Sequence, residues 1–167
     1  MIKIKHFLLL VCIAGCFAAC KKADSSIDTY DAVAQFKADT TEIRAFVKKN
    51  NLTVLKNEQY GVFYQIIQPG SGNLVYSAST GINVEYEGRL LSGTVFDSSS
   101  GTPVSLTLGN LIPGWQIGIP YIQKGGVIRL LIPSYYGYGN IARNAPQSVI
   151  PANAPLDFTI TLHDAAN

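Results

Sequence analysis

Few side chains in this sequence could do covalent or acid–base chemistry. His163 is the only histidine beyond residue 6, and the three cysteines, Cys12, Cys16 and Cys20, all lie at or before residue 20. No serine stands in a Gly-x-Ser-x-Gly elbow, and neither His-Glu-x-x-His nor Gly-x-x-x-x-Gly-Lys occurs. That weighs against triad hydrolysis, metal-assisted hydrolysis and phosphate binding, so no metal and no cofactor is expected. Glu85 and Glu87 share one face of a strand, but that face points outward, and the pair reads as a solvated surface. What remains is an aromatic and aliphatic set: Tyr86, Phe96, Trp115, Tyr138 and Phe158, with Leu111, Ile112 and Ile150, and Asp97 beside Phe96. Each of these alone is ordinary core material.

Such a set has to be positioned by strands. Ile82, Val84 and Tyr86 alternate with Asn83, Glu85 and Glu87, the pattern of a half-buried antiparallel strand. Leu91-Ser92-Gly93-Thr94 supplies a turn in which Gly93 is free to take positive φ, and the chain returns through Phe96-Asp97. Val62, Tyr64 and Ile66 alternate up to the turn Pro69-Gly70-Ser71-Gly72. Val104, Leu106 and Leu108 alternate with Ser105 and Thr107. Ile128, Leu130 and Ile132 form another strand, and Leu156, Phe158, Ile160 and Leu162 the last, with Asp157, Thr159 and Thr161 outward. Trp115 to Ile122 is too densely apolar for alternation and predicts a short helix that Pro120 must interrupt or end. Short strands, one short helix and no βαβ period give an antiparallel α+β domain. Periodicity alone does not separate an open wrapped sheet from a small barrel.

Four blocks stand in register: Val84 to Ser99, Gly114-Trp115, Tyr136-Gly137-Tyr138-Gly139, and Val149-Ile150-Pro151 with Phe158 after it. Together they resemble the FKBP-type peptidyl-prolyl cis-trans isomerases, over roughly Tyr60 to His163. The resemblance implies an α+β fold in which a twisted antiparallel β-sheet wraps around a short α-helix. It implies a proline pocket with Trp115 as its floor, Tyr86, Phe96 and Phe158 as walls, and Leu111, Ile112 and Ile150 as the apolar rim. Asp97 and Tyr138 take the catalytic roles: the Tyr138 hydroxyl donates to a substrate carbonyl, and Asp97 orients polar groups at the pocket mouth of a closed cleft. Three features depart from the family pattern or vary within it. Val104 stands where an aromatic is frequent, Asn110 to Pro113 is a short connection, and the loop Asn140 to Ser148 has its own sequence and bears on substrate preference.

A pocket of this kind suits a reaction with no covalent step. Rotation about an X-Pro bond is opposed by a barrier of about 18–20 kcal/mol and relaxes over roughly tens to hundreds of seconds. Removing about 5–7 kcal/mol accelerates it by about 10⁴–10⁵-fold. Binding the twisted amide better than either planar form in a dry cleft can supply that.

The remainder of the sequence speaks of address. Lys3 and Lys5 precede an apolar or small run from Phe7 to Ala19, too short to span a membrane as an ordinary helix. Residues 1–19 read as a lipoprotein signal peptide, with Cys20 as the lipidated residue and Cys16 as the alternative. Residues 20–27 are a flexible tether. Losing Lys3 and Lys5 brings the 13 basic residues to parity with the 11 acidic ones, which argues against nucleic acid as partner. Residues 28–58 form an N-terminal helical segment and 59–167 the isomerase domain. Within the former, Val33, Phe36, Ile43, Phe46 and Val47 recur at helical spacing from about Asp28 to Asn50, and Thr40-Thr41 could split the helix. Its apolar stripe has two uses, packing on this chain's own sheet or forming a homodimer. No pocket residue lies there, so deleting residues 21–50 is expected to leave peptide turnover nearly unchanged.

The expected activity is prolyl isomerisation of proline-containing polypeptides, by a protein lipid-anchored in the cell envelope, at the outer membrane in preference to the inner. A non-catalytic proline-peptide-binding or chaperone module on the same anchor is the alternative, and a structural lipoprotein a second.

Overall fold

The computed structural model describes residues 30–145 and 148–167. The signal segment, Cys16, Cys20, the tether and Asp28 lie outside the described residues.

The first helix, α1, runs Ala32–Lys49. Asp31 caps it, its carboxylate accepting the Val33 and Ala34 N–H groups at 3.0 and 2.9 Å. The helix therefore begins later than the expected Asp28. Lys48 and Lys49 occupy its negative end, and the chain leaves through Asn50 and Asn51, the latter at φ 51°. Thr40 and Thr41 do not split it. Their hydroxyls donate back to the Lys37 carbonyl at 3.1 and 2.8 Å, so the β-branched pair sits within an unbroken helix.

Nine strands and a second helix follow: β1 Leu55–Lys56, β2 Phe63–Gln68, β3 Gly81–Leu90, β4 Val95–Ser98, β5 Val104–Thr107, α2 Pro113–Gly118, β6 Val127–Ile132, β7 Arg143–Ala145, β8 Ser148–Ile150 and β9 Leu156–Ala166. Seven strands make one antiparallel sheet in the order β1-β2-β6-β9-β3-β4, with β5 paired to β3. β9 lies in the middle, matched to β3 from Gly81↔Ala166 to Leu90↔Leu156 and to β6 from Val127↔Thr161 to Ile132↔Leu156. The segment read as the loop Asn140 to Ser148 contributes β7 and the first residue of β8, which pair as a two-stranded ribbon.

The sheet is covered on its inner face and, over β2 and β6, on its outer face as well. On the inner face Val84, Ile128, Leu130, Ile132, Leu156, Ile160 and Leu162 are wholly or almost wholly buried with Trp115 and Ile119. Each such aliphatic side chain contributes about 1.5–3 kcal/mol. α2 approaches closely because Gly114 and Gly118, one turn apart, face Ile132 and Leu130; a Cβ on Gly114 would lie 2.5 Å from Ile132 Cγ2. A 3₁₀ turn at Ile119–Tyr121 continues past α2, carrying Pro120.

The outer face carries α1. Ile43 meets Phe63 and Leu131, with Phe46, Val47, Leu52 and Val54 packed around them. Of the two uses open to the helix stripe, these residues take the first, this chain's own sheet. The covering also corrects the reading of Asp157 as an outward residue. Asp157 does lie on the outer face, but it is 4% exposed and pairs bidentately with Arg129 at 2.8 and 2.6 Å. The Arg129 guanidinium lies 5.7 Å from the centre of the Phe46 ring. Ile66 departs from its alternation: it is 40% exposed, where the β2–β6 register shifts.

Candidate functional site

The site grows from β3. Tyr86 projects from the inner face, and Gly88 follows two residues on. Gly88 pairs with Asp97 of β4 and with Phe158 of β9. A Cβ there would lie 2.6 Å from the Phe158 ring and 2.8 Å from Phe96, so glycine is what lets two aromatic rings close over the strand. The 3₁₀ turn Leu108–Asn110 leads through Leu111 and Ile112 into α2, where Pro113 sets the first turn and Trp115 points to the core. Gln116 Nε2 donates to the Leu111 carbonyl at 2.7 Å and ties this lead-in to the helix. Tyr138 comes from the other side, just after the 3₁₀ turn Ser134–Tyr136.

These elements enclose a cleft of about 260 Å³. Of the expected site residues, Tyr86, Asp97, Leu111, Ile112, Trp115, Tyr138 and Phe158 line it. Phe96 and Ile150 do not appear on its wall. They lie buried, 6% and 5% exposed, with the Phe96 ring edge-on to Phe158 at 5.4 Å and to Tyr138 at 6.4 Å. Leu106 and Asn110 complete the lining. Leu106 shares the strand face of Val104, a signal that sequence reading spent on the core. Asn110 carried no signal.

The rings meet edge to face. Tyr86 stands at 5.2 Å and 82° to Trp115, and Trp115 at 5.2 Å and 87° to Phe158. Trp115 is 4% exposed, and its indole N–H makes no hydrogen bond among the described residues. The Tyr86 hydroxyl donates to Asp97 Oδ2 at 3.0 Å. Burial, with the bonded and negative Asp97 beside it, pushes the Tyr86 phenol up to about 12. Burial and the Asp97 charge also raise Tyr138, while Arg143, 5.6 Å from the Tyr138 ring centre, works the other way. Both phenols thus stay protonated donors. Asp97 itself is exposed, which corrects the expectation of a carboxylate sealed from water: it stands at the open rim.

Glu85 and Glu87 stand apart from this cleft. Glu87 pairs with Arg89, its carboxylate accepting from Arg89 Nε at 2.7 Å, and Glu85 lies 3.5 Å from His163. Among the described residues no cluster of histidine, cysteine, aspartate and glutamate could hold a metal ion.

An antiparallel sheet over a short helix, with an aromatic cleft between them, defines the fold class. The model of the FKBP-type peptidyl-prolyl cis-trans isomerase family matches residues 75–163, and the chain belongs to that family. It is 38% identical over 134 residues to the FKBP-type peptidyl-prolyl cis-trans isomerase FkpA of Buchnera aphidicola from Schizaphis graminum, covering 78% of this chain and 52% of that one. With FkpA of Escherichia coli it shares 38% over 112 residues, 66% of this chain and 40% of the relative. The chain thus spans about half the length of the curated relatives it matches. The crystal structure of Escherichia coli FkpA superposes with a TM-score of 0.64 at 36% identity, over 79% of this chain and 60% of that one. A peptidyl-prolyl cis-trans isomerase from Pseudomonas syringae gives 0.63 at 28% identity, over 83% and 98%.

Proposed function

We propose that this protein is a peptidyl-prolyl cis-trans isomerase that assists the folding of exported polypeptides in a bacterial envelope. The proline ring rests on the Trp115 indole between Tyr86 and Phe158, with Leu111 and Ile112 at the rim and Phe96 and Ile150 supporting from behind. Planar amide resonance is charge-separated, so walls of this kind favour the twisted, less polar amide over either planar form. Tyr138 fixes the substrate carbonyl by donating to it, and Asp97 holds the Tyr86 hydroxyl at the mouth. The observation that carries the reading is the box of Tyr86, Trp115 and Phe158 in one small cleft lined by no histidine, cysteine or serine. An isomer-resolved assay on an X-Pro peptide tests it. Saturable acceleration over the spontaneous rate is expected, and a folded protein that binds the peptide without accelerating it would overturn the reading in favour of a binding module.

Residues 59–167 are the catalytic domain in this reading, 28–58 the N-terminal helical segment whose α1 lies against it, residues 20–27 a tether and residues 1–19 a signal peptide. Cys20 carries the lipid, and the outer membrane is the address. Mass spectrometry of the mature N-terminus decides the point: acyl chains on Cys16, or none, would refute it. A homodimer through α1 would have to use faces other than the stripe around Ile43, and light scattering sizes it. No helix among the described residues is long and apolar enough to cross a membrane.

A further inference from the structure

Asp39 lies near the middle of α1 and is 1% exposed. No ion pair among the described residues involves it. Its Oδ1 accepts from the Gln35 side-chain amide at 2.6 Å. Its Oδ2 accepts from the Ser134 backbone N–H at 2.8 Å and from the Ser134 hydroxyl at 2.6 Å. Burying a carboxylate without a cation is costly. Docking a helix on a sheet does not require it, and apolar side chains such as Ile43, one turn on, do that work alone. The carboxylate therefore calls for a second role.

Ser134 indicates what that role is. It is fully buried and opens the 3₁₀ turn that precedes Tyr138. Its carbonyl accepts from the Gly137 N–H at 2.9 Å and from the Gly139 N–H at 2.8 Å. Those two amides flank Tyr138. The backbone on both sides of the tyrosine thus converges on one residue, and Asp39 fixes that residue from across the sheet edge. Gly139 adopts φ +67°, so the bend after Tyr138 depends on a glycine held in the left-handed region. Phe36, on the preceding turn of α1, adds an edge-on contact to Tyr136 at 6.2 Å.

We propose that Asp39 is a positioning residue for the site: by anchoring Ser134 it aims the Tyr138 hydroxyl into the cleft. The proposal rests on the isomerase reading above. It makes α1 a part of the machinery, and it replaces the expectation that deleting this segment leaves turnover unchanged.

The test uses the full chain and the variants Asp39→Ala, Asp39→Asn and Ser134→Ala, each alone and combined with Tyr138→Phe. Asp39→Ala should lower kcat/KM on an X-Pro peptide about 3–10-fold, as the loss of one neutral hydrogen bond at Tyr138 would. The Asp39→Ala, Tyr138→Phe double variant should fall no further than Tyr138→Phe alone. Asp39→Asn should recover most of the loss, because its side-chain oxygen still accepts from Ser134. Ser134→Ala gives a smaller loss in the same direction, and serves if Asp39→Ala does not fold. Amide exchange provides a readout independent of turnover: Gly137 and Gly139 should exchange about tenfold faster in Asp39→Ala, with the β6 and β9 amides unchanged. Losses that multiply in the double variant, or unchanged exchange at both glycines in a folded variant, would overturn the proposal. A parent protein with no isomerase activity whose Gly137 and Gly139 amides still respond would sink the isomerase reading and leave the anchoring of Tyr138 standing.

Discussion

The Tyr86–Asp97 hydrogen bond and the Tyr138 hydroxyl stand with Asn110 as the polar features of the cleft, and the two phenol hydroxyls can each be removed as a single atom. Tyr138→Phe keeps the ring and should lower kcat/KM by about 3–10-fold. Because Asp97 is exposed at the rim, water can take its place beside Tyr86, so Asp97→Ala should cost no more than about tenfold. Tyr86→Phe deletes the same bond from the other side. The two losses should therefore overlap, and a double-mutant cycle on kcat/KM checks this. A thousandfold loss from any one of these changes in a folded protein would mean that bond-making chemistry had been missed. The phenols also make a prediction about alkaline stability. Tyr86 holds its proton up to about 12, whereas the unfolded chain releases it near pH 10. Between those values the unfolded state binds fewer protons, so the stabilising contribution present below pH 10 is lost as pH rises toward 12. Denaturant titrations should show a steeper alkaline loss in the parent than in Tyr86→Phe.

At the scale of elements, the close seat of α2 on the sheet is the feature most exposed to a single methyl group. Gly118→Ala would push a Cβ into Leu130, and Gly114→Ala into Ile132, both on a fully buried strand face. Overpacking of this kind costs about 1–3 kcal/mol, so thermal melts should shift downward for each, with activity falling as Trp115 moves. Ile43→Ala on α1 should cost about 2–5 kcal/mol, since the residue is fully buried between Phe63 and Leu131.

The strands that hold these helices were legible in the sequence because alternation reports directly which face of a strand each side chain takes. Ile82, Val84 and Tyr86, or Leu156 to Leu162, needed no more than that. Alternation does not report what covers the other face. Asp157 and Thr159 look alike to it, and only the helix across the sheet makes the first a buried partner of Arg129. The same gap hid Asp39, which lies off the apolar spacing of α1 and carries no signal that a serine 95 positions away would reach it. The cleft was legible only as a set: family resemblance gathered Tyr86, Trp115 and Phe158, alternation gave Leu106 an inward side without a role, and Asn110 depends on a lead-in turn that no local pattern announces. Phe96 was assigned to the wall and Ile150 to the rim, and both stand behind the lining, a difference of one layer of packing that residue type cannot resolve.

For the molecule as a whole, residues 30–167 contain no cysteine. Its stability should be indifferent to reductant, and equal melting temperatures with and without dithiothreitol check this. The central strand has a different consequence. β9 joins β6 to β3, yet it is made of residues 156–166 and is synthesised after both of its neighbours. Without it, β1, β2 and β6 have no strand joining them to β3, β4 and β5, and each group would be left with an unpaired backbone edge. A chain shortened before Leu156 should accordingly be digested by protease at the rate of an unfolded polypeptide. The order of the strands thus delays closure of the fold: the two halves of the sheet cannot be joined before residues 156–166 have been made.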